Sequence, residues 1–335
     1  MQFTMDGSSI PSVKQRVDRL IPKSLILDLP PPELIGSMTQ APPPIACFPA
    51  EPLSIRLDRA LHQLSWLDKS LVMAELSRLA YGPPELISKV VYEAGIDQCD
   101  FVQQAGSEAY VFGTKYDCMI VSRGTEPTKL EDIAADAKAW TVACDIGRVH
   151  SGFDSHVQLL WPDIENRLRE NQRPVWFGGH SLGGAMAAVC AVRCKLSPIP
   201  SNPQAIFSFG APRVGNRQYA SFLKIRHYRW VNNNDIVPRF PPRFMGYHHM
   251  GREIYVNRKG KISRIHNWLR FHDRVRGFLY GLRRGKIDYL CDHSMREYVA
   301  IVRHLHRTEK QGTRFTCPQA ATRHRSAMRC SEEPP

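Results

Sequence analysis

One short stretch of the sequence has the residue types and spacing that suit nucleophilic catalysis. Residues 179–184 read Gly-His-Ser-Leu-Gly-Gly. A serine in this pattern is exposed on a sharp turn between a strand and a helix, where its hydroxyl can attack a carbonyl carbon. We therefore predict Ser181 as a nucleophile, with Gly179, His180 and Gly183 as the turn around it. The glycines leave room where the strand and helix backbones pass closely. Because the pattern also arises by chance, its meaning depends on the surrounding elements.

The segments around Ser181 have the patterns of a buried strand and a helix. Residues 174–178 are typical of a short central strand, and residues 185–192 are small and helix-forming. Four further segments share this short, β-branched or aromatic character: 109–113, 118–121, 205–209 and 227–231. Helical patterns alternate with them, which predicts an α/β fold with a mainly parallel central sheet flanked by helices. Chemistry is then expected at the carboxyl ends of the strands.

Several segments in matching order resemble the class 3 lipases, the fungal-lipase-like branch of the α/β-hydrolase superfamily. The resemblance extends over about residues 65–305. The segments that carry it are 74–81, 122–128, 149–153, 179–184, 209–216 and 232–238. The resemblance implies an α/β-hydrolase fold in which a serine, an acid and a histidine follow one another along the chain.

Asp235 is the candidate for the carboxylate that orients the base in such a site. It follows the apolar run 228–231, at the predicted carboxyl end of a strand. On its own, an aspartate in an Asn-rich loop before Pro238 is more typical of a turn. The resemblance places Asp235 in the acid segment of the lipases, and we therefore predict it as the acid. Asp273 and Asp288 lack a comparable strand-end setting.

His293 is the candidate for the base that takes the serine proton. It precedes apolar residues at 295, 298, 299 and 302, a stripe that predicts the last helix of the core. A residue at the start of that helix can reach Ser181, whereas His304 and His306 lie on the helix itself. Residues 292–298 also resemble the catalytic-histidine segment of the lipases. The other downstream histidines are expected at the surface or in an insertion: His248, His249, His266 and His272.

Two backbone N–H groups are the predicted oxyanion donors. One belongs to Leu182, the residue after the nucleophile. By resemblance, the other belongs to Thr125, which also suits a turn or a helix N-cap. The lipase lid follows this position, and residues 126–136 contain few large apolar groups. We therefore expect weak interfacial activation, with short or partly soluble esters among the candidate substrates.

The composition is that of a globular protein with two unusual ends. Among the 335 residues, 43% are hydrophobic and 23% charged, which excludes wholesale disorder. No run approaches the roughly 20 apolar residues of a membrane-spanning helix. Residues 1–53 are predicted as a Pro-rich, poorly ordered arm, 54–305 as one catalytic domain and 306–335 as a disordered basic tail.

The formal net charge of +13 is concentrated in two segments. Residues 243–290, predicted as a basic insertion in the domain, carry a net charge of +9, and residues 303–335 carry +4. Within the insertion, apolar residues at helical spacing alternate with arginines over 262–286. A basic amphipathic helix suits peripheral contact with an anionic membrane, and it equally suits docking on the domain with a solvated basic face. We expect no nucleic-acid partner, and the sequence carries no signal for an oligomeric state.

Cysteine usage and the start of the sequence bear on the compartment. The nine cysteines include no CxxC pair, which argues against a zinc ribbon or a disulfide-stapled domain. Residues 1–20 lack the apolar core of a signal peptide. We therefore expect a cytoplasmic localisation. The predicted chemistry requires no metal and no organic cofactor.

These observations predict a serine hydrolase that cleaves carboxylic esters, above all acylglycerols or related lipids. Catalysis would use Ser181, Asp235 and His293 through an acyl-enzyme. The alternative is a catalytically silent protein of the same fold that binds anionic membranes or other polyanions through its basic insertion. An intact serine, acid and histidine in the family order favours the enzyme.

Overall fold

The computed structural model describes residues 51–124, 140–263 and 292–316. These residues all belong to one unit of the fold, which spans 48–335. Most of the predicted N-terminal arm lies outside the described residues, as does the tail from 317 onward.

The described residues form six α-helices and nine β-strands. The helices are α1 (Trp66–Leu79), α2 (Pro84–Glu93), α3 (Ser151–Glu170), α4 (Leu182–Leu196), α5 (Arg217–Phe222) and α6 (Met295–Lys310). The strands are β1 (Gln98–Gln104), β2 (Ser107–Gly113), β3 (Cys118–Ser122), β4 (Thr141–Cys144), β5 (Gly147–His150), β6 (Val175–His180), β7 (Pro203–Phe209), β8 (Arg226–Asn232) and β9 (Arg252–Val256). Among these helices, none has both the length and the apolar character needed to cross a membrane.

Seven of the strands form one sheet in the order β1-β2-β3-β6-β7-β8-β9. The pairs from β3 to β9 are parallel, while β1 and β2 form an antiparallel edge. Strands β4 and β5 pair separately as a hairpin. The prediction of an α/β fold with a mainly parallel sheet flanked by helices is confirmed.

The sheet is buried on both faces because its side chains alternate between two apolar layers. On one face, Trp176, Phe207 and Trp230 pack with α1, α2 and α6. On the other face, Phe177 and Ile206 pack with α3 and α4. Parallel strands need cover on both faces, and their near-continuous apolar sequences reflect it.

Helix α1 begins and ends where its sequence dictates. Ser65 and Asp68 form a capping box, in which each side chain accepts a hydrogen bond from the backbone N–H of the other residue. The helix ends at Leu79, and Pro83 and Pro84 prevent its continuation, as the sequence predicts.

A buried ion pair connects α1 with α6. Glu75 of α1 is fully buried, and its carboxylate accepts a hydrogen bond of 2.7 Å from Arg303 of α6. It also accepts hydrogen bonds from the backbone N–H and the hydroxyl of Ser54, at 2.8 and 2.5 Å. A buried carboxylate needs such partners, because burial without them costs several kcal/mol. Helices α1 and α6, far apart in sequence, are therefore linked through Glu75.

The structure corrects two predicted boundaries. Strand β9 lies inside the predicted insertion 243–290 but pairs with β8 as a regular strand of the central sheet. It was missed because it is only five residues long and begins with two charged residues. Helix α6 continues to Lys310, past the predicted domain end at 305, because its polar last turn lacks the apolar stripe. The part of the insertion at 264–290, and with it most of the predicted amphipathic helix, lies outside the described residues.

Candidate active site

Ser181 lies on a sharp turn between β6 and α4. It has φ 57° and ψ −127°, a conformation that a non-glycine residue rarely adopts. The surrounding backbone holds it in place. The Ser181 N–H donates to the Phe209 carbonyl at 2.9 Å, and the Ser181 carbonyl accepts from the Gly184 N–H at 3.0 Å. The Ser181 side chain is buried.

Gly183 allows the end of β3 to pack against the first turn of α4. A Cβ on Gly183 would overlap the Ser122 carbonyl oxygen and lie 2.8 Å from the Gly124 nitrogen. A Cβ on Gly124 would in turn lie 3.4 Å from the Cβ of Ser181, so the loop after β3 borders the serine. Thr125, the predicted oxyanion donor, follows directly but lies outside the described residues, as does the predicted lid at 126–136.

Leu182, the other predicted oxyanion donor, is the first residue of α4. The N–H groups of a first helical turn have no acceptor within the helix. The start of α4 also carries the positive end of the helix dipole. Both features suit the stabilisation of a negatively charged oxygen beside Ser181.

Asp235 and His293 form a buried hydrogen-bonded pair. The Nδ1 atom of His293 lies 3.0 and 2.9 Å from the two carboxylate oxygens of Asp235. The carboxylate also accepts hydrogen bonds from the Val237 N–H at 2.9 Å and from the Tyr298 hydroxyl at 2.6 Å. Burial and the charge of Asp235 hold the pKa of Tyr298 well above its usual range, so the hydroxyl remains a donor. These bonds leave the carboxylate well satisfied without solvent.

Ser181 lies in the same corner of the fold as His293 but does not hydrogen-bond to it. The Oγ atom of Ser181 and the Nε2 atom of His293 are both buried, and neither has a hydrogen-bond partner among the described residues. Two residues close to Ser181, namely His180 and Gly210, lie against His293. His180, directly before Ser181, hydrogen-bonds to the His293 carbonyl, and a Cβ on Gly210 would lie 2.9 Å from His293 Nδ1. Gly210 directly follows Phe209, the hydrogen-bond acceptor of the Ser181 N–H.

His180 bridges Tyr81 and His293. Its Nε2 atom lies 2.7 Å from the His293 carbonyl oxygen, and its Nδ1 atom lies 2.8 Å from the Tyr81 hydroxyl. Because a carbonyl only accepts, Nε2 is the donor. Burial, with the nearby His293, holds the pKa of His180 well below its usual range, so the ring is neutral. Its Nδ1 atom therefore accepts a hydrogen bond from Tyr81.

Asp292 connects the loop that carries His293 to the loop that carries Asp235. Its carboxylate accepts from the Asn233 side-chain amide at 3.0 Å and from the Asn234 N–H at 3.1 Å. Its carbonyl accepts from the Asn232 side chain at 3.0 Å. The Asn-rich segment thus forms contacts with the histidine loop beyond those of a local turn.

Four residues that contact the predicted triad or the residues beside it have no site role predicted from sequence: Tyr81, Gly210, Asp292 and Tyr298. His180 is predicted only as part of the turn. The apolar stripe predicts Tyr298 as a core residue. A buried tyrosine must find a partner for its hydroxyl, and this need could have indicated a hydrogen bond such as the one to Asp235. The hydroxyl of Tyr81 carries no such signal, because its partner is 99 residues away.

The described residues contain no group of His, Cys, Asp and Glu side chains placed to hold a metal ion. Five cysteines within the described ranges are free: Cys99, Cys118, Cys144, Cys190 and Cys194.

Comparisons with known proteins identify relatives of part of the chain. The profile of the Lipase (class 3) family matches residues 119–245, which include Ser181 and Asp235. Lipase A of Sodiomyces alcalophilus is 33% identical over 136 residues, which are 35% of this chain and 32% of that protein. The secreted mono- and diacylglycerol lipase 1 of Fusarium solani is 38% identical over 82 residues, 24% of either protein. The chain thus spans about a third or less of these two curated relatives.

A solved structure supports the fold over a longer stretch. The mono- and diacylglycerol lipase from Aspergillus oryzae superimposes with a TM-score of 0.53 over 69% of this chain and 96% of that chain. Its sequence is 20% identical, so the likeness concerns the fold alone.

The predicted cytoplasmic localisation is wrong. Relatives of the chain are named as secreted lipases, the Fusarium solani protein among them. The prediction relied on the absence of an apolar leader and on unpaired cysteines. Cysteine usage is a poor guide for a domain of this size, because its apolar core does not depend on disulfides for stability.

Proposed function

We propose that this chain is a member of the class 3 lipase family of the α/β-hydrolase superfamily and a serine hydrolase that cleaves carboxylic esters of acylglycerols or related lipids. The observation that carries the proposal is the buried Asp235–His293 pair in the corner that holds Ser181. The family and its relatives support ester hydrolysis in general. The assignment of individual residues rests on the geometry of this corner.

In the proposed reaction, Ser181 Oγ attacks the ester carbonyl carbon while His293 Nε2 takes its proton. The carbonyl oxygen becomes an oxyanion, which the N–H groups of Leu182 and Thr125 stabilise. The bond to the alcohol oxygen then breaks, and His293 donates the proton to the leaving alcohol. Water attacks the resulting acyl-enzyme with His293 as base, and Ser181 is restored as the acid product departs.

The hydrogen bonds of the pair favour the tautomer that this reaction needs. Because the Asp235 carboxylate only accepts, the proton of a neutral His293 ring resides on Nδ1, and the lone pair on Nε2 is available to the serine. The hydroxyl–imidazole bond is not formed in the structure. Catalytic hydrogen bonds commonly shorten only in the complex with substrate, so we propose that the Ser181–His293 bond forms on binding.

Two exposed apolar side chains on adjacent segments of the fold support the proposal of an apolar substrate. Phe244, on the loop after β8, is 90% exposed, and Trp140, beside the β4–β5 hairpin, is 69% exposed. The hairpin and the loop are adjacent, since Val149 and His248 both form bridges with Gly215. Large exposed apolar groups on neighbouring loops are suited to contact with acyl chains.

A fluorophosphonate probe tests the proposal, because it reacts covalently with an activated serine. We expect one labelled peptide, containing Ser181, in the full-length protein. Labelling should be lost in Ser181→Ala and at least a hundredfold slower in His293→Ala. The control is His304→Ala, which alters a histidine of α6 outside the Asp235–His293 pair and should be labelled at the parent rate. A folded but unreactive protein would support the catalytically silent alternative instead.

We also propose that residues 262–286 contact anionic membranes at their surface. The proposal rests on the sequence alone: residues 243–290 carry a net charge of +9, and apolar residues at helical spacing alternate with arginines over 262–286. Sedimentation with anionic vesicles tests it. Replacing Arg270, Arg274 and Arg276 by Gln should release the protein, whereas replacing Arg323, Arg325 and Arg329 by Gln removes the same charge and should not. Equal binding of the parent and the first variant would refute the contact.

A further inference from the structure

A cleft lies at the end of the sheet opposite Ser181. Its volume is about 770 Å³, within the usual range of small-molecule sites. The starts of β6, β7 and β8 line it with Trp176, Ala205 and Arg226. These strands are parallel, and Ser181 directly follows the end of β6, so the length of a strand, roughly 20 Å, separates the two places.

The ionisable side chains that line this cleft within the described residues are all basic. They are His62, Lys69, Lys195, Lys224 and Arg226, and no carboxylate from the same ranges lines it. Lys224 and Arg226 form no ion pair with any residue in the described ranges. Within the same ranges, the one hydrogen-bond acceptor of Lys195 is a neutral amide oxygen, that of Asn202, at 3.3 Å.

Lys69 carries the positive charge into the interior of the cleft. Its side chain is buried, its ammonium group donates to the Leu64 carbonyl at 3.0 Å, and it lies 5.8 Å from the centre of the Trp176 ring. Like charges around one space repel each other, and a bound anion relieves that repulsion. The charge pattern therefore favours an anionic ligand.

The remaining lining of the cleft is apolar. Aromatic and aliphatic side chains form it: Trp176, Phe222, Leu223, Ile225 and Tyr228. A small inorganic anion would leave this surface in contact with water, whereas a molecule with an apolar chain would cover it. We propose that the cleft binds an anionic amphiphile, in which a carboxylate or phosphate is joined to an apolar chain. This binding is separate from the reaction at Ser181.

Calorimetric titration of the full chain tests the proposal with dodecanoate and dodecyl phosphate, each below its micellar concentration. The Ser181→Ala background prevents turnover. The double charge reversal Lys224→Glu/Arg226→Glu should weaken binding of both ligands at least tenfold. The control is Lys89→Glu/Arg217→Glu, which reverses two other exposed cations and changes the net charge equally. The control variant should bind both ligands with a dissociation constant within twofold of that of the parent. Circular dichroism should confirm that both variants fold.

Four results would overturn the proposal. If the cleft variant and the parent bound the ligands with equal affinity, Lys224 and Arg226 would have no role in recognition. Equal weakening in both variants would indicate a general charge effect. Binding of dodecyltrimethylammonium as tightly as dodecanoate would show that the anion does not matter. Titration with inorganic phosphate distinguishes a free phosphate from a phosphate joined to an apolar chain. If inorganic phosphate bound as tightly as dodecyl phosphate, the apolar chain would have no role in binding. None of these readouts depends on hydrolysis, so they can fail while the proposed function holds.

Discussion

The described residues contain two buried serine–histidine combinations, one within the central sheet and one beyond the end of β6, and they differ in an instructive way. Ser208 of β7 and His227 of β8 are hydrogen-bonded, with 2.8 Å between Oγ and Nε2. Ser181 and His293 are not hydrogen-bonded at all. Judged by this one contact, the first pair would be the nucleophile and base. The comparison shows that a serine–histidine contact alone is a weak sign of reactivity.

The surroundings of the two histidines differ in charge. Burial and the neighbouring Arg229 lower the pKa of His227 to about 3, which makes it a poor proton acceptor. His293 instead has the Asp235 carboxylate on its Nδ1 atom, and a carboxylate stabilises the positive charge that a base acquires. Ser208 lies within a regular strand, whereas Ser181 has a positive φ at the start of a helix. Position and charge therefore separate the two pairs.

The strongest way to break the comparison is to remove each serine in turn. Ser181→Ala should lower kcat for ester hydrolysis by about 10⁵- to 10⁶-fold, as expected for loss of a nucleophile. Ser208→Ala should change kcat less than about fivefold. Initial rates with a short p-nitrophenyl ester measure both. Comparable losses in the two variants would assign Ser208 a role that its position in a strand does not suggest.

The next effect concerns the carboxylates. Asp235→Asn keeps the size of the side chain but removes the acceptor that orients His293, so kcat should fall about 10⁴-fold. Glu253→Gln, which weakens the 3.1 Å ion pair with Arg229 beside His227, is the matched control and should leave kcat within a few-fold of the parent. The same assay checks both variants, and an active Asp235→Asn protein would exclude the proposed triad.

A smaller effect is expected from the chain of hydrogen bonds through His180. Tyr81→Phe removes the donor to His180 Nδ1, so His180 holds the His293 carbonyl less firmly, and kcat should fall about tenfold with KM unchanged. Tyr110→Phe alters another buried tyrosine, which within the described residues forms a single hydrogen bond, to the Gly82 carbonyl, that is long at 3.5 Å; this variant should have no such effect. A positioning role also predicts a shifted pH profile of kcat/KM in Tyr81→Phe, which a loss of packing would not produce.

The smallest effect is on stability, and it distinguishes His227 without any activity assay. The folded-state pKa of His227 is about 3 and that of His150 about 4, both below the ordinary 6.5. Between pH 6.5 and the lowered pKa of each histidine, the unfolded chain binds a proton at that histidine that the folded chain does not. The free energy of unfolding should therefore be highest above pH 6.5 and fall as the pH drops, by up to about 1.4 kcal/mol per pH unit for each histidine.

Urea unfolding between pH 7 and pH 4.5 measures this slope. His227→Asn should reduce it while retaining hydrolytic activity, whereas an unchanged slope would mean that His227 binds protons equally well in the folded state.

Parts of the fold were accessible from sequence because the signals are local. The central strands are short apolar runs, and the turn at Ser181 is specified by adjacent glycines. Strand β1 was not predicted, since its residues Gln98–Gln104 are largely polar and only Val102 is buried. It is an edge strand whose place depends on pairing with β2, and no pattern within seven residues expresses that pairing.

The candidate site was predictable only in part, for a related reason. Asp235 and His293 are predicted from their positions at a strand end and before a helix, from their order along the chain and from the family resemblance. The contacts that position them, from Tyr81, His180 and Tyr298, join segments 63 to 113 residues apart. Such contacts are decided by how helices α1 and α6 pack on the sheet, and single-residue patterns do not contain that information.

The place of His293 just before α6, the last helix among the described residues, has a consequence for biosynthesis. Under the proposed mechanism, the nucleophile Ser181 and the acid Asp235 leave the ribosome well before the base does. A growing polypeptide that stops ahead of residue 293 has the strained turn but no proton acceptor, and its Glu75 still lacks the counter-ion Arg303. Under the proposed mechanism, translation order therefore keeps the nascent protein inert toward membrane lipids until the last helix has emerged and docked.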